Sequence, residues 1–173
     1  MLRFKNKREI KAIAQDLGKI VNNSIGMYAE DYPLTEREVS RITSELLDVA
    51  NPGLIKVLTY EEKPVGFLFA FPDLSRALRK NNGRITPIGI IRLLREMKTA
   101  DRLIINGMGI LSEYQRRGGN ALLYNELSTT VKSSGFKSSE LVQISEQTEM
   151  MLKDLQRLGA DFYKTYRMYT RRV

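Results

Sequence analysis

A short segment rich in glycine and arginine has the residue types of a phosphate-binding turn. It covers residues 115–121 and reads Gln-Arg-Arg-Gly-Gly-Asn-Ala. The apolar run at 103–111 predicts a strand before it, and residues 119–134 predict a helix after it. The first N–H groups of a helix have no intrahelical acceptor and lie at the positive end of the helix dipole, so an anion placed there gains several donors together. The segment is therefore predicted to hold a phosphate group.

Two glycines and two arginines give this segment its expected chemistry. Gly118 and Gly119 permit positive φ and carry no Cβ that would block a diphosphate, while Arg116 and Arg117 add positive charge. The motif is short, and a basic Gly-Gly turn that merely joins a strand to a helix is the alternative interpretation.

The elements that would position this turn form an α/β pattern. Apolar residues at spacings of three and four predict helices, and runs of β-branched and aromatic residues bounded by turn residues predict strands. The expected strands are 2–5, 54–59, 65–71, 103–111, 139–144 and 162–170. The expected helices are 6–25, 35–49, 73–80, 88–97, 119–134 and 147–158. The two helices at 73–97 are interpreted as an insertion between sheet strands that forms the acceptor wall.

Local signals support several of these boundaries. Asn6 is expected to cap the first helix and Gly26 to end it, and residues 30–33 have the composition of a turn. Thr35 and Glu38 form a capping-box pattern at the start of the second helix.

The order of elements and several stretches of sequence resemble the GNAT superfamily of acetyltransferases. The family signature is Gln/Arg-x-x-Gly-x-Gly/Ala; Gln115 and Gly118 match it, and Asn120 at the final small position departs from it. Further similarity to a bacterial GNAT subgroup lies at 65–74, 82–84 and 164–169.

The resemblance implies a mixed central sheet of six to seven strands, flanked by helices and splayed between two parallel strands. It also implies that residues 1–173 are a single acyl-CoA N-acyltransferase-like domain, which in that subgroup forms the C-terminal half of a longer protein.

The resemblance also implies a site for acetyl-coenzyme A or another acyl-coenzyme A, with its pantetheine arm along the edge of the strand and its diphosphate at the turn. The corresponding residues are Met108, Gly109, Ile110, Leu111, Gln115, Arg116, Arg117, Gly118, Gly119, Asn120 and Ala121. Thr148 stands where related helices have an asparagine that contacts the pantetheine. Independently of the family, Gly107 and Gly109 inside the strand favour close approach of a backbone-like ligand, and a plain bulge is the alternative.

Acyl transfer to an amine needs a deprotonated amine, a donor to the thioester oxygen and a proton for the leaving thiolate. Many GNAT enzymes protonate the thiolate with a tyrosine, but the corresponding residue here is Leu155, which cannot donate a proton. Glu146 is the first candidate base because ligand crevices in such sheets open at the carboxyl ends of strands. A glutamate that balances a helix dipole is the alternative. Tyr163 is the second catalytic candidate, with packing as its alternative role.

Composition excludes several kinds of chemistry. The chain has no cysteine and no histidine, which excludes disulfides, thiolate nucleophiles and imidazole bases, and we expect no metal site.

The net charge of +8 fits a nucleic-acid surface, an acidic membrane surface or a pocket for a polyanionic cofactor. Basic residues are scattered without interleaved aromatics, which argues against nucleic acid. Because the sequence shows neither a long apolar run nor a signal peptide, no membrane partner and a cytoplasmic location are expected.

These observations predict an N-acyltransferase that passes an acetyl or other acyl group from acyl-coenzyme A directly to a small-molecule amine. Two alternatives stay open. One is a transferase that uses a long acyl chain or an acyl carrier protein, whose acidity would suit the basic surface; the other is a coenzyme A-binding domain without turnover. The identity of the acceptor, the length of the acyl chain and the oligomeric state, including a dimer, are left undetermined by the sequence.

Overall fold

The computed structural model describes residues 1–25, 35–49, 51–84, 86–142, 144–146, 148–167, 169 and 171. The turn expected at 30–33 and the helix end expected at Gly26 lie outside these residues. The chain divides into two compact units, Met1–Gln143 and Ile144–Val173. The turn that is predicted to bind phosphate belongs to the first unit, and the catalytic candidates Glu146 and Tyr163 belong to the second.

The described residues form seven α-helices and four strands. The helices are α1 Lys7–Ala12, α2 Ala14–Ile25, α3 Glu36–Val49, α4 Ser75–Lys80, α5 Pro87–Thr99, α6 Gly119–Ser134 and α7 Glu149–Arg157. The strands are β1 Ile55–Tyr60, β2 Lys63–Pro72, β3 Arg102–Ile110 and β4 Ser138–Leu141. Short 3-10 turns at Pro52–Leu54 and Ser112–Tyr114 precede β1 and follow β3.

The strands make one mixed sheet in the order β1-β2-β3-β4. The pairs β1–β2 and β2–β3 are antiparallel, whereas β3 and β4 are parallel. The expected fold of a mixed sheet flanked by helices is therefore confirmed, but the described residues supply four strands and not six to seven.

Two of the expected strands account for this difference. At 2–5 only Leu2 bridges to Val57, because Asn6 already begins the cap of α1 and leaves no length for a ladder. The described residues of 162–170 have no strand. Phe162, Tyr163 and Tyr166 are all more than half exposed, so this segment lacks the buried face that would hold a strand against a sheet.

Helices cover both faces of the sheet. On one face Ile10, Leu17 and Ile20 of α1 and α2 pack with Val57 and Phe67. On the opposite face the buried cluster combines α6 with the other side of β2 and β3; it comprises Leu54, Leu68, Ala70, Leu103, Ile105, Ile110, Leu123 and Leu127. The alternation of Phe67 and Leu68 between the two clusters follows from the two-residue period of a strand. Burying each of these larger side chains stabilises the fold by about 1.5–3 kcal/mol.

The capping signals are confirmed. The Asn6 side chain accepts from the N–H groups of Arg8 at 3.0 Å and Glu9 at 3.1 Å. Glu38 accepts from the Thr35 N–H at 2.9 Å and the Thr35 hydroxyl accepts from the Glu38 N–H at 3.3 Å, which completes the capping box. The first predicted helix, by contrast, is divided at Ile13, whose N–H turns back to the Ile10 carbonyl.

Arg102 joins the ends of three strands. Its Nε and Nη2 donate to Asp73 Oδ2 at 2.7 and 2.5 Å, and Nη1 lies 3.3 Å from Glu140 Oε2 on β4. Burial raises the pKa of the Asp73 carboxyl, but hydrogen bonds from Ser75 and from Arg102 outweigh it, so the pKa lies below its ordinary value. The ionised carboxylate is thus part of the folded state.

We expect Arg102→Gln to lower the free energy of unfolding at pH 7 by about 1–3 kcal/mol, because it leaves a mostly buried carboxylate without its charged donor. Because the pKa of the Asp73 carboxyl is lower in the folded than in the unfolded protein, its ionisation stabilises the fold at pH values above the pKa of the unfolded state. That stabilisation is lost as the pH falls through the pKa of the folded state. The difference between variant and wild type should therefore shrink below about pH 4. Urea unfolding at pH 7 and pH 3 measures it, and a difference that stays constant would contradict this account of Asp73.

Candidate functional site

The parallel strands β3 and β4 separate part of the way along β3. Their pairing runs from Arg102 opposite Ser138 to Ile105 opposite Leu141, and the Val142 N–H makes a last bond of 3.1 Å to the Ile105 carbonyl. Beyond this point β3 continues to Ile110, and no described residue pairs with it on the β4 side. The backbone of residues 106–110 therefore forms an edge with which no described residue pairs on this side, and we call it the open edge of β3.

A bulge in β3 lies where the splay begins. Opposite Leu68 and Ala70 of β2 stand Met108 and Ile105, so β3 carries one extra residue at this place. Gly107 within the bulge has a φ of +130°, a conformation that side chains rarely adopt. The bulge that was the alternative explanation of Gly107 is thus confirmed.

Gly109 is explained by packing inside the protein. A Cβ at Gly109 would lie 2.6 Å from Ser24 Cβ and 2.9 Å from a ring carbon of Phe67. The missing side chain lets α2 approach β3, which corrects the interpretation that it makes room for a ligand. The backbone of Gly109 still belongs to the edge of β3, and this edge is a feature separate from the packing at the missing side chain.

We expect Gly109→Ala to lower the free energy of unfolding by about 1–3 kcal/mol, because the added methyl overpacks the contact between α2 and β3. Adding Ser24→Gly should recover at least half of that loss, since it removes the two atoms nearest to the methyl and leaves only the contact with the Phe67 ring. A double-mutant cycle by chemical denaturation measures the coupling. Additive losses in the cycle would show that the Ser24 contact is not what requires glycine here.

The turn at 115–121 has unusual backbone geometry. Arg116 and Gly118 adopt positive φ values of 60° and 81°, and the Gln115 side chain donates to the Ile110 carbonyl at 3.0 Å. The first hydrogen bond of α6 runs from the Leu122 N–H to the Gly118 carbonyl at 3.2 Å. Gln115 therefore fixes the end of β3 to the start of the turn.

The start of α6 offers unpaired amides. The N–H groups of Gly119, Asn120 and Ala121 precede the first intrahelical bond, and Gly118 at the cap position supplies no side-chain acceptor. Three consecutive N–H groups without a partner among the described residues thus lie at the positive end of α6, where an anion would gain several donors together.

The two glycines of the turn have different roles. A Cβ on Gly118 would meet nothing within 4 Å, whereas one on Gly119 would lie 2.8 Å from Leu58 Cδ2 and 2.9 Å from Ile110 Cδ1. Gly119 is buried and allows α6 to pack closely on the sheet, which corrects its expected role of leaving room for a diphosphate. Only Gly118 keeps the outer surface of the turn open.

Positive charge surrounds this turn. Arg116 and Arg117 are exposed, and the Arg117 guanidinium lies 5.6 Å from the centre of the Tyr114 ring. Tyr114 in turn packs on Tyr60 at 5.3 Å between ring centres. The tilted aromatic pair thus offers a ring face to one of the two cations of the turn.

Three residues near the site were missed by the sequence interpretation. Asn23 Oδ1 accepts from the N–H of Ser112 at 3.3 Å and from its hydroxyl at 3.2 Å, which ties the end of α2 to the chain after β3. Ser24 Oγ is buried and has no hydrogen-bond partner among the described residues. The consecutive polar residues 22–24 at the end of an otherwise amphipathic helix were the signal that could have found them.

The second unit holds the remaining candidates. Glu146 is exposed in the turn before α7, and the Thr148 hydroxyl donates to the Ser145 carbonyl at 2.5 Å. Glu146 and Thr148 therefore lie close together. Tyr163 is 61% exposed in a segment without regular structure, and Leu155 on α7 is buried.

None of the described helices combines the length and apolar character that a bilayer-spanning segment requires.

No protein-family model matches the chain. Two curated proteins are similar over most of it: protein YghO of Escherichia coli K12 is 26% identical over 178 residues, and a bacterial ceramide synthase of Caulobacter vibrioides is 24% identical over 161. These alignments cover 99% and 90% of this chain but 46% and 42% of the relatives. The chain thus spans less than half the length of the curated relatives it matches.

Similarity to proteins of known structure is clearer. The aminoglycoside N-acetyltransferase AAC(6')-Iy in complex with coenzyme A superposes with a TM-score of 0.60 at 13% identity, covering 94% of this chain and 91% of that protein. The aminoglycoside 6'-N-acetyltransferase AAC(6')-IG of Acinetobacter haemolyticus gives 0.58 at 12% identity, with 94% of each chain covered. A possible acetyltransferase from Clostridium difficile 630 gives 0.61 at 14% identity, with coverages of 94% and 92%. These likenesses show that the chain shares the fold of these acetyltransferase structures.

Proposed function

We propose that this chain binds acyl-coenzyme A and transfers the acyl group to an amine. The observation that carries the proposal is the juxtaposition of two unpaired backbone surfaces. The open edge of β3 at 106–110 leads directly into the turn whose Gly119, Asn120 and Ala121 amides are unpaired. A linear ligand with amide groups at one end and a diphosphate at the other matches both surfaces in this order.

The roles of the binding residues follow from this arrangement. The backbone of Met108, Gly109, Ile110 and Leu111 would pair with the amides of the pantetheine arm. The diphosphate would accept from the N–H groups at the start of α6, with Arg116 and Arg117 supplying charge. The Gln115 side chain serves indirectly because it is engaged with the Ile110 carbonyl. Thr148 belongs to the second unit, and its contact with the pantetheine is part of the proposal.

The chemical step we propose is direct. The amine nitrogen attacks the thioester carbonyl, a C–N bond forms, the C–S bond breaks and coenzyme A leaves as a thiol. Glu146 would remove a proton from the attacking amine, and Tyr163 would supply one to the leaving sulfur. α7 begins at Glu149, with Thr148 at its cap position. Since Glu146 precedes the cap, Glu149 is the residue placed to balance the helix dipole, which favours the role of base for Glu146.

The absence of cysteine gives a clean test of this function. Any thiol released during a reaction comes from coenzyme A, because the protein itself has none. Calorimetry with coenzyme A should show binding, and a thiol-reactive chromophore should report turnover of acetyl-coenzyme A with a panel of primary amines that includes aminoglycosides. Failure to bind coenzyme A would overturn the proposal. Binding without thiol release for any donor and amine would instead support the alternative of a domain without turnover.

A second candidate function is transfer of a long acyl chain to a lipid amine. It is favoured by the similarity to a protein named bacterial ceramide synthase, since a ceramide is a fatty amide. Acetyl-, octanoyl- and palmitoyl-coenzyme A compared with a long-chain amino alcohol and with an aminoglycoside would separate the two. A preference for palmitoyl transfer to the long-chain amine would show that the donor is a long-chain acyl-coenzyme A and not acetyl-coenzyme A. Acyl carrier protein loaded with a palmitoyl chain would then test that carrier as the donor.

A further inference from the structure

The connection between β2 and β3 exposes an aliphatic stripe. Ile88, Ile91 and Leu94 of α5 are 64%, 66% and 55% exposed, and their spacing of three places them along one side of the helix. The side of α5 that faces the protein is a different one. Gly89 is buried there, and its carbonyl accepts from Asn81 at 3.1 Å. A contiguous row of large exposed aliphatic side chains marks an interaction surface.

The same connection concentrates the positive charge of the chain. The connection, residues 73–101, contains seven Lys and Arg and three acids, a net charge of +4 compared with +8 for all 173 residues. All three acids are paired: Asp73 with Arg102, Asp101 with Lys137 at 3.9 Å and Glu96 with Arg76 at 2.8 Å. The other basic residues are all exposed; they are Arg79, Lys80, Arg84, Arg92, Arg95 and Lys98. By helix geometry Arg95 and Lys98 lie within the aliphatic stripe itself.

We propose that this surface, the basic stripe formed by Ile88, Ile91, Leu94, Arg95 and Lys98 with the neighbouring exposed cations, binds anionic lipid bilayers. The side chains of the stripe lie along one face of a single helix and are mostly more than half exposed, which suits a deformable interface. Aliphatic side chains can enter the boundary between headgroups and acyl chains while the arginine and lysine heads stay among lipid phosphates. Acidic headgroups complement the net charge. Single-stranded nucleic acid fits less well, because the stripe offers no aromatic ring on which a base could stack.

The position of the basic stripe leaves the coenzyme A site accessible. The connection joins the end of β2 to the start of β3, whereas the turn at 115–121 follows the opposite end of β3. The nine residues of β3 separate the two ends by roughly 30 Å at about 3.3 Å per residue. Because the connection and the turn adjoin opposite ends of β3, we expect membrane contact to leave cofactor binding unaffected. The proposal differs from the sequence-based prediction of no membrane partner, and it gives a further role to the insertion that was predicted to form the acceptor wall.

Co-sedimentation with large vesicles tests the proposal without any cofactor. Vesicles that contain phosphatidylglycerol should bind the protein at least tenfold more tightly than vesicles of phosphatidylcholine alone, and high salt should weaken the binding. Arg95→Gln with Lys98→Gln should reduce the partition coefficient at least tenfold, because each cation near an anionic surface contributes roughly fivefold. Ile88→Gln with Ile91→Gln should reduce it by a similar factor, since the helix then has too little apolar surface to insert.

Matched controls distinguish the effect of losing stripe residues from the effect of losing charge or exposed apolar side chains elsewhere in the protein. Arg8→Gln with Lys11→Gln removes the same charge from exposed positions of α1, and Met150→Gln with Leu158→Gln removes side chains that are 57% and 63% exposed. Both control pairs should bind vesicles within twofold of wild type. Equal losses in stripe and control variants, or no binding to anionic vesicles, would overturn the proposal. Sedimentation velocity adds a further check, because a dimer that the stripe variants dissociate would assign this face to a second copy of the chain instead.

Discussion

Replacing Gly118 with aspartate is expected to weaken coenzyme A binding by about 100-fold or more, whereas asparagine at the same position should have a much smaller effect. Two like charges about 6 Å apart repel by about 3 kcal/mol at an effective dielectric constant of about 20, which is on the order of 100-fold in affinity. A Cβ added at this position would meet nothing within 4 Å. The aspartate would therefore place its carboxylate at the open surface of the turn, where the diphosphate is proposed to bind.

Asparagine is the matched control for this substitution. Asn and Asp have nearly the same shape, and both tolerate positive φ better than other residues with a side chain. Both variants should therefore lose similar amounts of stability at a φ of 81°. Isothermal titration with coenzyme A, together with thermal unfolding of each variant, measures the two effects separately. Equal affinities for the two variants would mean that no anion binds at this turn.

The local elements of the fold were largely predictable because their signals lie within a few residues. The Asn6 cap and the Thr35–Glu38 capping box satisfy backbone donors at the starts of helices, and the structure confirms both. The strands expected at 54–59 and 65–71 are also present as β1 and β2, joined by a tight two-residue turn in which Glu61 and Glu62 have positive φ. Such features depend on local backbone chemistry that one sequence expresses directly.

The roles of individual glycines were not predictable in the same way. The sequence shows that Gly109 and Gly119 lack a side chain, but only the packing shows what would occupy the space. Ser24 lies against Gly109, and Leu58 and Ile110 lie against Gly119. These contacts join residues far apart in sequence, so no local pattern contains them. The same limit explains the missing last strand, whose formation depends on a partner strand and not on its own composition.

The splay shows how far a family resemblance extends the prediction. Nothing in the residues of β3 alone indicates that the pairing with β4 ends at Ile105, yet the resemblance implied a splay, and the open edge at 106–110 agrees with it. The resemblance did not reveal that Asn23 and Ser112 join α2 to the end of β3. That contact depends on side chains specific to this chain, which a family pattern does not carry.

Glu146→Gln is expected to lower kcat for acyl transfer by about 100- to 10,000-fold while leaving coenzyme A affinity unchanged, because a positioned general base contributes about that factor. The change removes the proton acceptor and preserves the size of the side chain. Thiol release sampled at fixed times gives kcat, and calorimetry gives the affinity for coenzyme A.

Glu149→Gln provides the control for this experiment, since it removes the same charge three residues further along. Glu149 lies in the first turn of α7, where its carboxylate is placed to balance the helix dipole, and it pairs with Lys153 at 3.2 Å. We expect this variant to keep kcat within about twofold, because exposed ion pairs of this kind contribute well under 1 kcal/mol. If both variants lost activity equally, the loss would come from the helix terminus, and Glu146 would not be the base. A selective loss in Glu146→Gln, with unchanged thermal unfolding, would place the proton transfer at its carboxylate.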